Sequence, residues 1–199
     1  MQRRWGGLPP PTTEAARERL IDAAEACFAR LGVARTTIDD VARAAQVSRA
    51  TVYRHVRDRD DLVLAALGRE ARRFAERMGL HREQPLADAI VEGIVFAVRE
   101  VPNEPALAVL MRPDAATALP GAWPLLYEHS LRALGPLVDR ARAEGDIRDD
   151  LRTEEVVEWV LRTVLSLLAM PGPVERDEDD LRGFVRRFLL VSLQAPVRS

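Results

Sequence analysis

Residues 36–63 read "TTIDDVARAAQVSRATVYRHVRDRDDLV", and their spacing decides the fold of the first quarter of the chain. Thr37 is a good helix N-cap, and Asp40 three residues on gives a capping-box-like pattern. Ile38, Val41, Ala42 and Ala45 then form one short apolar face. "QVS" (46–48) breaks that helix, and Ser48 caps the next, in which Val52 and Val56 turn inward with Val47. Arg49, Ala50, Thr51, Tyr53, Arg54 and His55 are left around the exposed side. Two short helices, a three-residue turn and small alanines at the crossing are what a helix-turn-helix requires. A helix that only had to fold would carry Glu, Lys and Ala on such a face. Arg, Tyr and His there suit a phosphate backbone and base edges, and the plain alternative is a solvated surface.

Working outward, the periodicity predicts a helix from Thr12 or Thr13 to Leu31. Leu20, Ala24, Cys27/Phe28 and Leu31 form its buried stripe, and Gly32 closes it. Residues 1–11, with Gly6-Gly7 and Pro9-Pro10-Pro11, read as a disordered tail. Downstream, helical segments are predicted near 59–79, 84–100, 104–112, 122–144, 153–170 and 177–194. Gly and Pro residues separate them. Gly135-Pro136 should kink or split the 122–144 segment. No period-2 strand or repeat interrupts this pattern. The expected fold is all-α, with about nine helices: a tail (1–11), a helix-turn-helix domain (12–58) and a larger helical domain (59–199).

Composition narrows the function. The 199 residues carry a net charge of −2, but residues 1–60 hold 11 Arg against 8 acids, and the remainder 18 Arg against 23 acids. A basic front on an acidic body can aim one end at a polyanion. Cys27 is the only cysteine, so no intramolecular disulfide is possible. It lies on the apolar stripe, as core packing. No apolar run approaches the ~20 residues of a membrane span, and the start lacks a signal-peptide stretch. The cytoplasm and no membrane association are expected. There is no Gly-rich phosphate loop, no nucleophile with an evident His partner and no HExxH. His81, near Glu83 and Asp88, is better read as solvated residues at a turn than as a metal site. No enzyme activity, metal or cofactor is expected.

Thr37, Val41-Ala42, Ala45, Val47-Ser48, Thr51-Val52-Tyr53, His55-Val56, Arg59 and Leu62 together resemble the DNA-binding segment of tetracycline-repressor (TetR) family transcriptional regulators. The likeness covers about fifty residues; the rest of the chain matches in length and helical layout, with an echo in "AEGDIRDDLRTEEVVEWVL" (143–161). Gln46 departs from the pattern by replacing a turn glycine, so a side chain is expected to occupy the left-handed region at some cost.

The resemblance implies that residues 48–56 enter the major groove, N-terminal end nearest the bases. Arg49 is the first choice for base reading, because its guanidinium can bond O6 and N7 of guanine together. Ala50 offers close approach or a thymine-methyl contact. Thr37, Thr51, Tyr53 and Arg59 match family positions that bind phosphate. Ser48 belongs to the same surface as the helix cap, and Arg54 and His55 reach either bases or backbone. The resemblance also implies a homodimer and a pocket for a small-molecule effector among the middle helices. Candidate pocket residues are Phe74, Met78, Phe96, Met111, Trp123 and Tyr127. Candidate interface residues, from two apolar bands near the C-terminus, are Val157, Val160, Leu161, Val164, Phe184 and Phe188. The expected function is a repressor released from a near-palindromic site on double-stranded DNA by its effector. The alternatives are a helical protein–protein adaptor and a helical enzyme with an unrecognised site.

Overall fold

The computed structural model describes residues 12–81, 83–107, 119–170 and 172–194. Among them lie eight helices and no strand. The expected tail, 1–11, lies outside the described residues. So does most of the segment predicted as a helix over 104–112, whose first residues, after the 3₁₀ turn Val101–Asn103, are non-helical.

Helix α1 (Thr13–Leu31) begins where the Thr12 hydroxyl accepts from the Ala15 amide, and Gly32, at φ 79°, ends it. Its stripe of Leu20, Ala24, Cys27 and Phe28 is buried. Helix α2 (Ile38–Ala44) opens on a full capping box: the Thr37 hydroxyl accepts from the Asp40 amide while Asp40 accepts from the Thr37 amide. Together the two bonds satisfy donors that a helix start leaves orphaned. Helix α3 (Arg49–His55) starts from Ser48, whose Oγ accepts from the Thr51 amide at 3.1 Å. Gln46, in the turn between α2 and α3, has φ 56° and is the one non-glycine residue with positive φ among the described residues. The turn therefore keeps its left-handed geometry although the side chain disfavours it.

Helix α4 (Arg59–Met78) is capped by Asp58 and ends at Gly79 in the left-handed conformation. It packs on both α1 and α6. The body contains α5 (Leu86–Glu100), α6 (Ala122–Glu144), α7 (Thr153–Ala169) and α8 (Glu178–Val185). Helix α8 runs on through a π turn, Arg186–Leu190, into Val191–Leu193. Helices α6 and α7 pack side by side, and α5 lies against α6, α7 and α8. One apolar cluster is continuous from Leu20 and Val52 through Leu67 and Phe74 to Leu126 and Leu161. Front and body thus share a core through α4.

Gly135-Pro136 does not split its segment: α6 runs unbroken through Pro136. A proline inside a helix removes one hydrogen bond and costs roughly 3 kcal/mol. Helix α6 is gripped by α4 on one side and α7 on the other, and tertiary packing outweighs that local cost.

Candidate nucleic-acid interface and interior cavity

The exposed face of α3 is built from its cap outward. Ser48, Arg49 and Ala50 are exposed, as are Tyr53 (45%) and Arg54. Thr51 is not: it is 7% exposed, and its Oγ1 sits 2.9 Å from Ser48 Oγ. Three residues after the cap, its side chain returns under the cap and lies next to fully buried Val52. This corrects the expectation that Thr51 belongs to the outer face. His55 is half-buried, and burial, then the nearby Arg54 charge, holds its imidazole below the ordinary histidine range.

Arg49 has a defined position before any partner arrives. Its Nη1 donates to both oxygens of Asp39 on α2, at 3.3 and 3.2 Å, and its Nη2 donates to the Tyr53 hydroxyl at 3.3 Å. The guanidinium also lies 5.5 Å from the Tyr53 ring centroid. The Tyr53 bond, then the Asp39 charge, raises its pKa further. Arg49, Tyr53, Thr37 and Asp39 line one open cleft between the start of α2 and the face of α3. Thr37 is exposed there, its hydroxyl donating to Asp40 at 2.6 Å.

Arg59 lines the same cleft but is occupied. Its Nε donates to the Thr36 carbonyl at 2.8 Å, its Nη2 to the Val33 carbonyl and its Nη1 to Asp60. Arg59 thus braces the chain entering α2 from within that cleft.

Two further arginines hold this surface on its support, and sequence reasoning missed both. Arg17 of α1 donates to both oxygens of Asp61 on α4, at 3.1 and 2.8 Å, and to the His55 carbonyl at 3.0 Å. One guanidinium thus joins α1, the end of α3 and the start of α4. Asp61 also accepts from the Arg57 amide, and the Arg17 bond first of all holds its carboxyl below the usual range. Arg69 of α4, 9% exposed, reaches three acids of α1: Glu18 at 2.5 Å, Asp22, and Glu25 at 3.3 Å. The signal lay in acids spaced four and three apart on α1, a ridge that one cation on a crossing helix can satisfy.

Behind α4, a cavity of about 140 Å³ opens between α4, α5, α6 and α7. Phe74 and Met78 line it. Phe96 does not; its ring packs on Phe74, with centroids 4.8 Å apart. Trp123 and Tyr127 stack on each other at 6.5 Å, and Arg162 covers Trp123 at 4.7 Å, which places this pair outside the lining. Met111 lies outside the described residues. Trp123 and Tyr127 are engaged with α7 instead, through Arg162 over Trp123 and the bond from Tyr127 Oη to the Glu154 carbonyl. The lining is mainly Ala, Ile, Leu and Val.

The expected interface residues are also redistributed. Val157 is fully buried in the chain's own core, and Val160, Leu161 and Val164 line the cavity. The band on α7 is consumed internally because α5 and α6 pack against it. Phe184 is half-buried, whereas Phe188 is 65% exposed, its ring 4.9 Å from that of Phe184. The π turn shifts the phase of α8, so Leu189 and Leu190 point inward and Phe188 outward. Trp159 of α7 and Val191 are half or more exposed. No described helix is long and apolar enough to cross a membrane.

The profile of bacterial regulatory proteins of the tetR family matches residues 20–66. An uncharacterized HTH-type transcriptional regulator of Mycobacterium tuberculosis is 31% identical over 186 residues, covering 89% of this chain and 85% of that one. The HTH-type transcriptional regulator TtgR of Pseudomonas putida is 43% identical over 54 residues, covering 27% and 26%. Among solved structures, RolR in complex with resorcinol superposes with a TM-score of 0.70 at 17% identity, covering 88% and 87%. FadR of Bacillus subtilis in complex with stearoyl-CoA gives 0.60 at 17% identity, covering 88% and 97%.

Proposed function

This chain belongs to the tetR family of bacterial regulatory proteins, a DNA-binding transcriptional regulator, and we propose that it acts as a homodimeric repressor released from its operator by a small molecule. The carrying observation is the solvent face of α3, where Arg49, Tyr53 and Arg54 stand on a helix anchored from behind by Arg17 and Asp61. In this reading residues 12–58 are the reading head and 59–199 the effector-binding and pairing body. Arg49 reads a base edge, and Tyr53, Arg54 and Thr37 position the backbone. Ala50 gives close approach, and Ser48 holds the helix start.

One head offers few base contacts, so useful affinity needs two heads about one helical turn, roughly 34–36 Å, apart. Exposed Trp159, Phe188 and Val191 supply an apolar surface for pairing. Release follows from the shared core: α4 lines the cavity with Phe74 and Met78 and holds α1 through Arg69. A guest that shifts α4 moves the head, and the coupling is reciprocal, so DNA also weakens binding of the guest. RolR and FadR were each solved with a small molecule, which supports an effector here. Such a regulator works at the chromosome, in the cytoplasm.

Selection of duplexes from a random pool tests the reading. It should return an inverted repeat, bound by a dimer in sedimentation. Enrichment of an unrepeated sequence, or of none, would overturn it.

A further inference from the structure

The cavity is unusually uniform in its chemistry. Among the described residues every lining side chain is apolar except His129 and Ser130, neighbours on α6. Neither makes a hydrogen bond among the described residues, and both are half-buried. Among the described residues, no Arg, Asp or Glu lines the space. An ionised guest would lose its hydration and meet no counter-charge, whereas an apolar guest loses nothing.

Size sets a second limit. A cavity of about 140 Å³ is close to the roughly 150 Å³ apolar cavity that admits a benzene-sized molecule. We infer that the effector is a small, uncharged, largely apolar molecule of single-ring size with one hydrogen-bonding group, which His129 and Ser130 receive. This rests on the cavity being the effector site proposed above, and it names the class of guest.

Burial first, and then the charges of Arg132 and Arg72, lowers the pKa of His129. The neutral imidazole, with one nitrogen donating and the other accepting, can bond a hydroxyl in either sense. Arg132 is paired with Glu128 at 2.5 Å and so offers an anion little.

The test is calorimetric titration of the full chain at pH 7 with toluene, p-cresol, benzoate and benzylamine. p-Cresol should bind one per chain, about five- to tenfold more tightly than toluene, the gain of one hydrogen bond in a dry site. Benzoate and protonated benzylamine should bind at least tenfold more weakly than p-cresol. His129→Leu combined with Ser130→Ala should erase the advantage of p-cresol over toluene. Ala133→Leu, which fills the cavity, should abolish both; if its melting curve shows it unfolded, Ala75→Leu on α4 serves instead. Binding of benzoate as tight as p-cresol, no binding of any probe, or binding indifferent to the filled cavity would overturn the inference. Gel shifts with operator DNA separate the two claims. p-Cresol that binds as described without releasing DNA upholds this assignment and overturns release by the cavity.

Discussion

Arg49 on α3 and Asp39 on α2 form an ion pair across the crossing of the two helices, with Nη1 3.2 Å from Oδ2. Both side chains are more than half exposed, so the pair holds Arg49 in place weakly. DNA must compete with Asp39 for that guanidinium. Asp39→Asn removes the competitor and a negative charge facing the phosphates. Operator affinity should therefore rise several-fold at fixed salt. Fluorescence anisotropy checks this; a fall in affinity would make Asp39 an organiser of the reading head rather than a competitor.

Thr51 should respond in the opposite currency, stability instead of binding. Its side chain is buried and its hydroxyl lies against Ser48. Thr51→Val should lower unfolding free energy by about 1 kcal/mol and leave operator affinity of the folded protein within about twofold. Urea denaturation alongside anisotropy distinguishes the two effects. A large loss of affinity with unchanged stability would restore Thr51 to the DNA face.

Arg69 ties α4 to α1 through three acids. Replacing it by Met leaves Glu18, Asp22 and Glu25 facing one another without their shared cation. Two of these acids are well exposed, so the cost is discounted from that of a buried pair, to ~1–3 kcal/mol. Thermal melting of Arg69→Met should show it, and effector-driven release should weaken because α1 no longer follows α4.

Acid should attack the joint held by Arg17. The Asp61 carboxyl has its pKa lowered in the fold, chiefly by the Arg17 hydrogen bond. A depressed carboxyl stabilises the fold at pH above its unfolded value, about 4. That contribution disappears as pH falls through the lower folded value. Asp61→Asn should thus be less stable than the parent at pH 7, and the gap should close on acidification below pH 4. Melting temperatures measured from pH 7 to pH 2.5 test this; a gap constant with pH would remove Asp61 from the titration.

Gln46 carries the turn at φ 56°. Gln46→Gly should gain up to about 1 kcal/mol by relieving the left-handed cost, and Gln46→Val should lose at least as much. Equal stability of all three would show the turn to be indifferent to its side chain.

The reading head was legible in the sequence because its signals are local: caps at Thr37 and Ser48, short apolar faces, and a turn of fixed length. The long body helices were legible for the same reason, through periodicity and breakers. What was not legible depended on contacts between distant segments. The bonds from Arg59 to the carbonyls of Val33 and Thr36 are of this kind. The band of Val157, Val160 and Leu161 had the right period for an interface, but period cannot say whether a helix's neighbour is its own chain or another. The cavity was legible only at Phe74 and Met78, because most of its wall is Ala, Ile, Leu and Val, which share the period of ordinary core.

The central claim is that Arg49 reads a base from the exposed face of α3. The most direct measurement compares parent and Arg49→Ala binding to a set of operator duplexes, each altered at one symmetric pair of positions. The parent should discriminate at one pair by on the order of ten- to a hundredfold. The variant should lose discrimination at that pair and keep it at the others. Uniform weakening of all duplexes by the substitution, with the sequence preference intact, would contradict the account.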